Sequence, residues 1–292
     1  MRISDSYSIG VVSILVALPF ISLTGLFGKF LTITPLLIVQ GRTVFAFGTL
    51  LMVLLFLRKK IFFQNYHDWL WLGFSGSILG LHWVAFFEAI QISSVAIGLI
   101  SFASYPLFTT LLEPLFFKEV LRRKNIYAAL VVICGLVIIS TSSEDQNSIF
   151  VGSVVKGLLW GLCSGLGFAL LTLLNRFHVQ NHSPLLITLW QNGFAALILL
   201  PWSFLEEWEI SLNELGLLFI LGVVCTVVGH SLLINGLRHV QAQVVSLIIA
   251  GLEPLLAIIF AFLILGETPS LQTLIGGLLI LGTTFIVSYK AN

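Results

Sequence analysis

The chain has 292 residues, of which 58% are hydrophobic and 9% charged, with fourteen Lys plus Arg against thirteen Asp plus Glu. A soluble domain needs an ionic surface, about a quarter of its residues, so a mean hydropathy of +1.07 assigns most of this chain to a bilayer. A net charge of +1 offers no basic field for nucleic acid, and at about 20 residues per span ten spans would fill the length and leave no soluble domain.

Apolar runs at 9–28, 34–57, 69–90, 94–117, 124–141, 151–175, 183–204, 212–236, 241–265 and 270–289 predict an all-α integral membrane protein with ten transmembrane helices. The links from Gln91 to Ser93, Arg238 to Gln241 and Gly266 to Pro269 are too short for structure of their own and predict antiparallel hairpins. Met1 to Ser8 lacks the basic region of a cleaved signal, so the first run reads as a retained span. Cys134, Cys163 and Cys225 each fall in an apolar run and read as buried small hydrophobes rather than a disulfide or a metal site. With the first segment inside, eleven of the fourteen basic residues fall on the inner side, Arg58, Lys59, Lys60, Arg122, Arg123 and Lys124 among them. The outer loops collect Glu144, Asp145, Glu206, Glu207, Glu209, Glu214 and Glu267. The positive-inside bias therefore predicts that both termini are cytoplasmic.

A shift of 149 residues superposes Pro35, Leu36, Leu37 and Ile38 on Pro184, Leu185, Leu186 and Ile187, and Gly80 on Gly229. A shift of 148 superposes Pro106 and Leu107 on Pro254 and Leu255, and Glu119 on Glu267. The chain thus reads as two repeats, 1–143 and 144–292, of five spans each. Five is odd, so the halves enter the membrane from opposite sides as an inverted repeat.

Each half carries a proline inside a span at the equivalent place, Pro106 in the fourth and Pro254 in the ninth. Proline removes a backbone donor and frees the carbonyl four residues earlier, here Phe102 and Ala250. Paired helix breaks of this kind point to a polar cavity at the repeat interface and to a role in gating. His82 lies about 18 Å into span three at 1.5 Å per residue, and His230 lies similarly deep in span eight. Glu253, beside Pro254, is a dozen residues from either end of its span. Ionisable groups at that depth are expensive to insert and mark candidate sites, although a structural hydrogen bond to a neighbouring helix would also account for each. With the aromatics Trp83, Tyr105 and Trp160, these residues form the expected substrate-binding set. Arg42 in span two is expected to form a structural ion pair with Glu88, while Glu88 and Glu113, near span ends, read as solvated. Gly157, Gly161 and Gly165 form a stripe for close helix approach. His-Glu-x-x-His, Gly-x-Ser-x-Gly and paired Cys-x-x-Cys are absent, so no enzyme, metal site or cofactor is expected.

Phe27, Gly28 and Lys29 ending span one, Pro35 with Arg42, Pro106 and Leu107 with Glu119, and Leu252, Glu253 and Pro254 with Gly266 and Glu267 carry a resemblance. The chain resembles the EamA family of the drug/metabolite transporter superfamily over essentially its whole length. That resemblance implies a secondary transporter of the bacterial inner membrane, an exporter of amino acids or related small metabolites working by alternating access. It also implies a path between the halves, lined by spans one, three, four, six, eight and nine. Glu113 with Pro114 and the two deep histidines depart from the common pattern. The buried titratable groups motivate proton coupling. A channel or facilitator, or a membrane-embedded enzyme, is the alternative class, and the sequence sets neither the solute nor an oligomeric state.

Overall fold

The computed structural model describes residues 3–117, 152–240 and 242–289, together with positions 131, 134, 135 and 138. Among the described residues the secondary structure is helical and no strand occurs. In chain order the helices are α1 (Ile3–Phe30), α2 (Pro35–Phe56), α3 (Tyr66–Ile92), α4 (Val95–Phe102), α5 (Tyr105–Phe117), α6 (Ser153–His178) and α7 (Pro184–Ser203). Then come α8 (Leu212–Ile220), a π-helical stretch Leu221–His230, α9 (Ser231–His239), α10 (Ala242–Phe260), a second π stretch Ala261–Leu265, and α11 (Leu271–Tyr289). Among the described residues eight segments are long and apolar enough to cross a membrane, and Leu271–Thr283 is a shorter apolar helix. The expected fifth span at 124–141 lies outside the described residues, apart from positions 131, 134, 135 and 138.

Local chemistry sets several helix starts. Thr34 caps α2 by accepting from the Leu37 amide, and Pro35 follows as the first helical residue; Ser183 caps α7 in the same way on Leu186, followed by Pro184. Proline is favoured there because its missing N–H would have had no partner. Ser211 and Glu214 close a capping box on α8, and Glu214 also accepts from the Thr32 amide and hydroxyl, tying α8 to the α1–α2 link. Ser94 caps α4, where Glu267 accepts from the Val95 amide at 3.0 Å.

The halves interleave rather than lie side by side: α3 packs on α6 and α7, α2 on α7, and α1 on the first π stretch, α9 and α10. Glycines permit the closest crossings. A Cβ at Gly76 would lie 2.6 Å from Phe194 Cβ and 2.8 Å from the Gln191 carbonyl, and one at Gly222 would lie 2.7 Å from Phe45 Cβ and 2.8 Å from the Arg42 carbonyl. The expected stripe of Gly157, Gly161 and Gly165 does face a neighbour, lying against Ser93, Ser101 and the Phe102 carbonyl. Large apolar side chains such as Met52, Phe56, Leu81, Leu197 and Leu278 are left on the outside, where lipid takes the place of water.

Several expectations are overturned. The fourth run is broken, with Ala103 and Ser104 separating α4 from α5 just before Pro106, whereas α10 continues through Pro254. The helix breaks are therefore not paired. Glu113 is 2% exposed rather than solvated, because Arg176 reaches it at 3.0 Å across the α5–α6 contact. Of the cysteines only Cys225 is buried; Cys134 and Cys163 are exposed on outward helix faces.

Candidate functional site

Inside the bundle, Ile21 and Thr24 of α1, Arg42 of α2, His82, Trp83 and Phe86 of α3, Phe102 of α4, Phe168 of α6, His230 and Leu233 around the π-to-α9 junction, and Glu253 of α10 surround one cavity. The cavity between them is about 20 Å³, room for little more than one water molecule, so these side chains close on one another and a solute would enter only as the helices part. Both halves of the chain contribute. The expected lining from spans one, three, four, six, eight and nine is present, and α2 joins it through Arg42.

His82 is 4% exposed; its Nδ1 donates to the Ser164 carbonyl at 2.9 Å and lies 2.8 Å from the Ser164 hydroxyl. Its ring stacks on Phe102 at 5.7 Å and tilts against Phe168 at 5.3 Å. Gly167 gives α6 this approach, since a Cβ there would stand 2.9 Å from His82 Cβ. Trp83 is 3% exposed and receives His230 edge-on, with ring centroids 4.9 Å apart. Glu253, 3% exposed, closes the α10 side.

The remaining expected site residues fall outside this lining. Tyr105 is fully buried one layer behind, donating to the Ser246 carbonyl at 2.7 Å and meeting Phe168 edge-on at 4.8 Å. Trp160 is 42% exposed and does not line the cavity. Pro106 sits one residue into α5, at the α4–α5 break. The expected Arg42–Glu88 ion pair is not formed: Arg42 Nε donates to Thr226 Oγ1 at 3.0 Å, and its guanidinium lies 3.6 Å over Trp83. An indole face can hold a cation as a carboxylate would, and it competes successfully here because α3 presents Trp83, not Glu88, to α2. Thr24, Phe86, Phe102 and Phe168 were not singled out as side chains, nor was Thr226 behind them. A threonine or phenylalanine in an apolar span carries no signal of its own, and only the tertiary pairing brings these to the site.

Comparison with known proteins agrees with this architecture. The model of the EamA-like transporter family matches residues 8–141 and 155–289. The uncharacterized transporter YxxF of Bacillus subtilis is 25% identical over 175 residues, 59% of this chain and 55% of that protein. An uncharacterized transporter of Helicobacter pylori is 29% identical over 132 residues, 44% of each chain. The matched region thus spans about half the length of these relatives. A crystal structure superposes with TM-score 0.68 over 100% of this chain and 98% of its own, at 18% identity, a likeness of fold. With apolar helices surrounding a cavity that holds Arg42, His82, His230 and Glu253, and family matches covering both halves, this multi-pass membrane protein belongs to the EamA-like transporter family.

Proposed function

We propose that the protein is a secondary transporter that moves a small organic solute, an amino acid or a related metabolite, out of a bacterial cytoplasm across the inner membrane. The observation that carries this reading is the cavity itself. Ionisable and aromatic side chains from both halves converge on a small space inside a lipid-facing bundle, where such groups are costly without an occupant. The two halves, 1–143 and 144–292, would rock about that space in alternating access. Glu253 would receive a cationic end of the solute, while Trp83, Phe102 and Phe168 supply apolar walls. The α4–α5 break before Pro106 supplies a hinge beside the cavity. Tyr105 supports Phe168 and Phe102 from behind. His82, His230 and Glu253 offer sites for a coupled proton.

Counterflow in proteoliposomes, screened across amino acids and related metabolites, tests the reading. At least one solute should exchange at a saturable rate, and Glu253→Gln with His230→Ala together should abolish it. Unchanged exchange in that double variant would remove the proposed site, and linear flux without counterflow would make the protein a channel. Proton coupling requires that flux change the lumenal pH and respond to an imposed pH gradient.

A further inference from the structure

Arg42 is 0% exposed and lines the cavity from α2. One edge of its guanidinium is held by Thr226 Oγ1, and one face by the Trp83 ring. Nη1 and Nη2, by contrast, have no hydrogen-bond partner, and among the described residues the group forms no ion pair. A guanidinium at this depth with no ion-pair partner and several N–H donors unmade is costly to bury. The repeat makes the vacancy informative. Gln191, which the 149-residue shift places on Arg42, is committed to protein partners, donating to Asn175 Oδ1 at 2.6 Å and to Ser75 Oγ at 3.1 Å. The second half closes its polar position with protein groups; the first half leaves two nitrogens of its own uncommitted at the cavity.

The geometry points to an oxyanion anchor: we infer that Nη1 and Nη2 of Arg42 bind a carboxylate of the solute. Two parallel N–H donors match the two oxygens of a carboxylate, and Thr226 and Trp83 preorganise the fork by fixing its other edge and one face. Glu253 lines the same cavity and offers a carboxyl group to it. A solute bearing both a carboxylate and an ammonium group would therefore lie with its acid end toward α2 and its amine end toward α10. This inference takes its solute from the transporter reading above, but it makes a separate prediction.

The test is the melting temperature of the purified full-length protein with acetate, benzoate or inorganic phosphate, against acetamide, benzamide and chloride at equal concentration. Acetate or benzoate should raise the melting temperature of the wild type while the amides and chloride do not, and Arg42→Gln should abolish the rise. Arg42→Lys keeps the cation but loses the fork, and should weaken apparent carboxylate affinity about tenfold; it carries the comparison where Arg42→Gln does not fold. Stabilisation by phosphate, lost in the Arg42 variants, would keep the oxyanion anchor and make the solute a phosphoryl compound. The inference is overturned if no oxyanion stabilises the wild type, if amides or chloride act equally, or if the Arg42 variants respond like the wild type. Flux separates the two readings. Arg42-dependent stabilisation by benzoate without counterflow of any solute would retain the anchor and remove the transporter. Counterflow of an uncharged solute indifferent to Arg42→Gln would do the reverse.

Discussion

Glu113 and Arg176 meet at 3.0 Å between α5 and α6, one from each half of the chain, with side-chain exposures of 3% and 27%. Attraction between such charges is strong because little water screens them, yet burying the carboxylate opposes it, so the net stabilisation has to be measured as a coupling. A double-mutant cycle of Glu113→Gln, Arg176→Gln and the pair, followed by thermal unfolding in detergent, should give a coupling of about 1–3 kcal/mol. A coupling near zero would reduce the contact to a solvated surface pair. The same residue shows where reading along the chain fails. Glu113 stands near a span end, where carboxylates usually reach water, and its burial comes from an arginine 63 positions away. Arg42 fails for the same reason: its partner Thr226 lies 184 residues distant, and no local pattern marks that threonine.

At the scale of elements, what was legible was what is decided locally. The matched tetrapeptides beginning at Pro35 and Pro184 turn out to be matched helix starts, with a hydroxyl cap and a proline in each half. The π stretch Leu221–His230 was not legible. Gly76 and Gly222 make corresponding contacts with α7 and α2, but His82 follows its glycine by six residues and His230 by eight. In an α-helix two extra residues would turn His230 about 200° away; the wider π winding takes up most of that rotation and keeps His230 at the cavity. The outward position of Trp160 was equally hidden, because lipid-facing and protein-facing sides of these helices are both apolar. Small residues, in contrast, did reveal contact faces. Gly161→Val would drive a side chain into Ser101 and toward the Gly98 carbonyl, so it should lower stability by about 1–3 kcal/mol through separation of α6 from α4. Gly48, with nothing within 4 Å of an added Cβ, is the control: Gly48→Ala should be neutral or stabilise by up to about 1 kcal/mol. Melting of both variants beside the wild type decides this, and equal losses would show that the stripe is not a packing device.

For the whole molecule, the arrangement of charge leads to a testable topology. Four crossing segments precede Lys118, two more among the described residues separate it from Glu206, and the run at 124–141 lies between, outside the described residues apart from positions 131, 134, 135 and 138. If that run crosses, the two halves have opposite orientations, Glu206, Glu207 and Glu209 face outward after seven crossings, and the chain ends inside after ten. If it does not cross, the same acidic loop follows six crossings and lies inside, and the basic cluster Arg58, Lys59 and Lys60 would share a face with it no longer separated by sign. The inverted arrangement therefore predicts that alkaline phosphatase fused after Glu207 is active, since that enzyme folds only outside the cytoplasm, and that a fluorescent protein fused after Asn292 is bright, since it folds only inside. Fusion of either reporter after Lys60 serves as the inner reference in both arrangements, because two crossings precede it. An inactive phosphatase at Glu207 together with a dark C-terminal fusion would mean nine crossings, and the two halves could not then be related by inversion or close a shared cavity by rocking against each other.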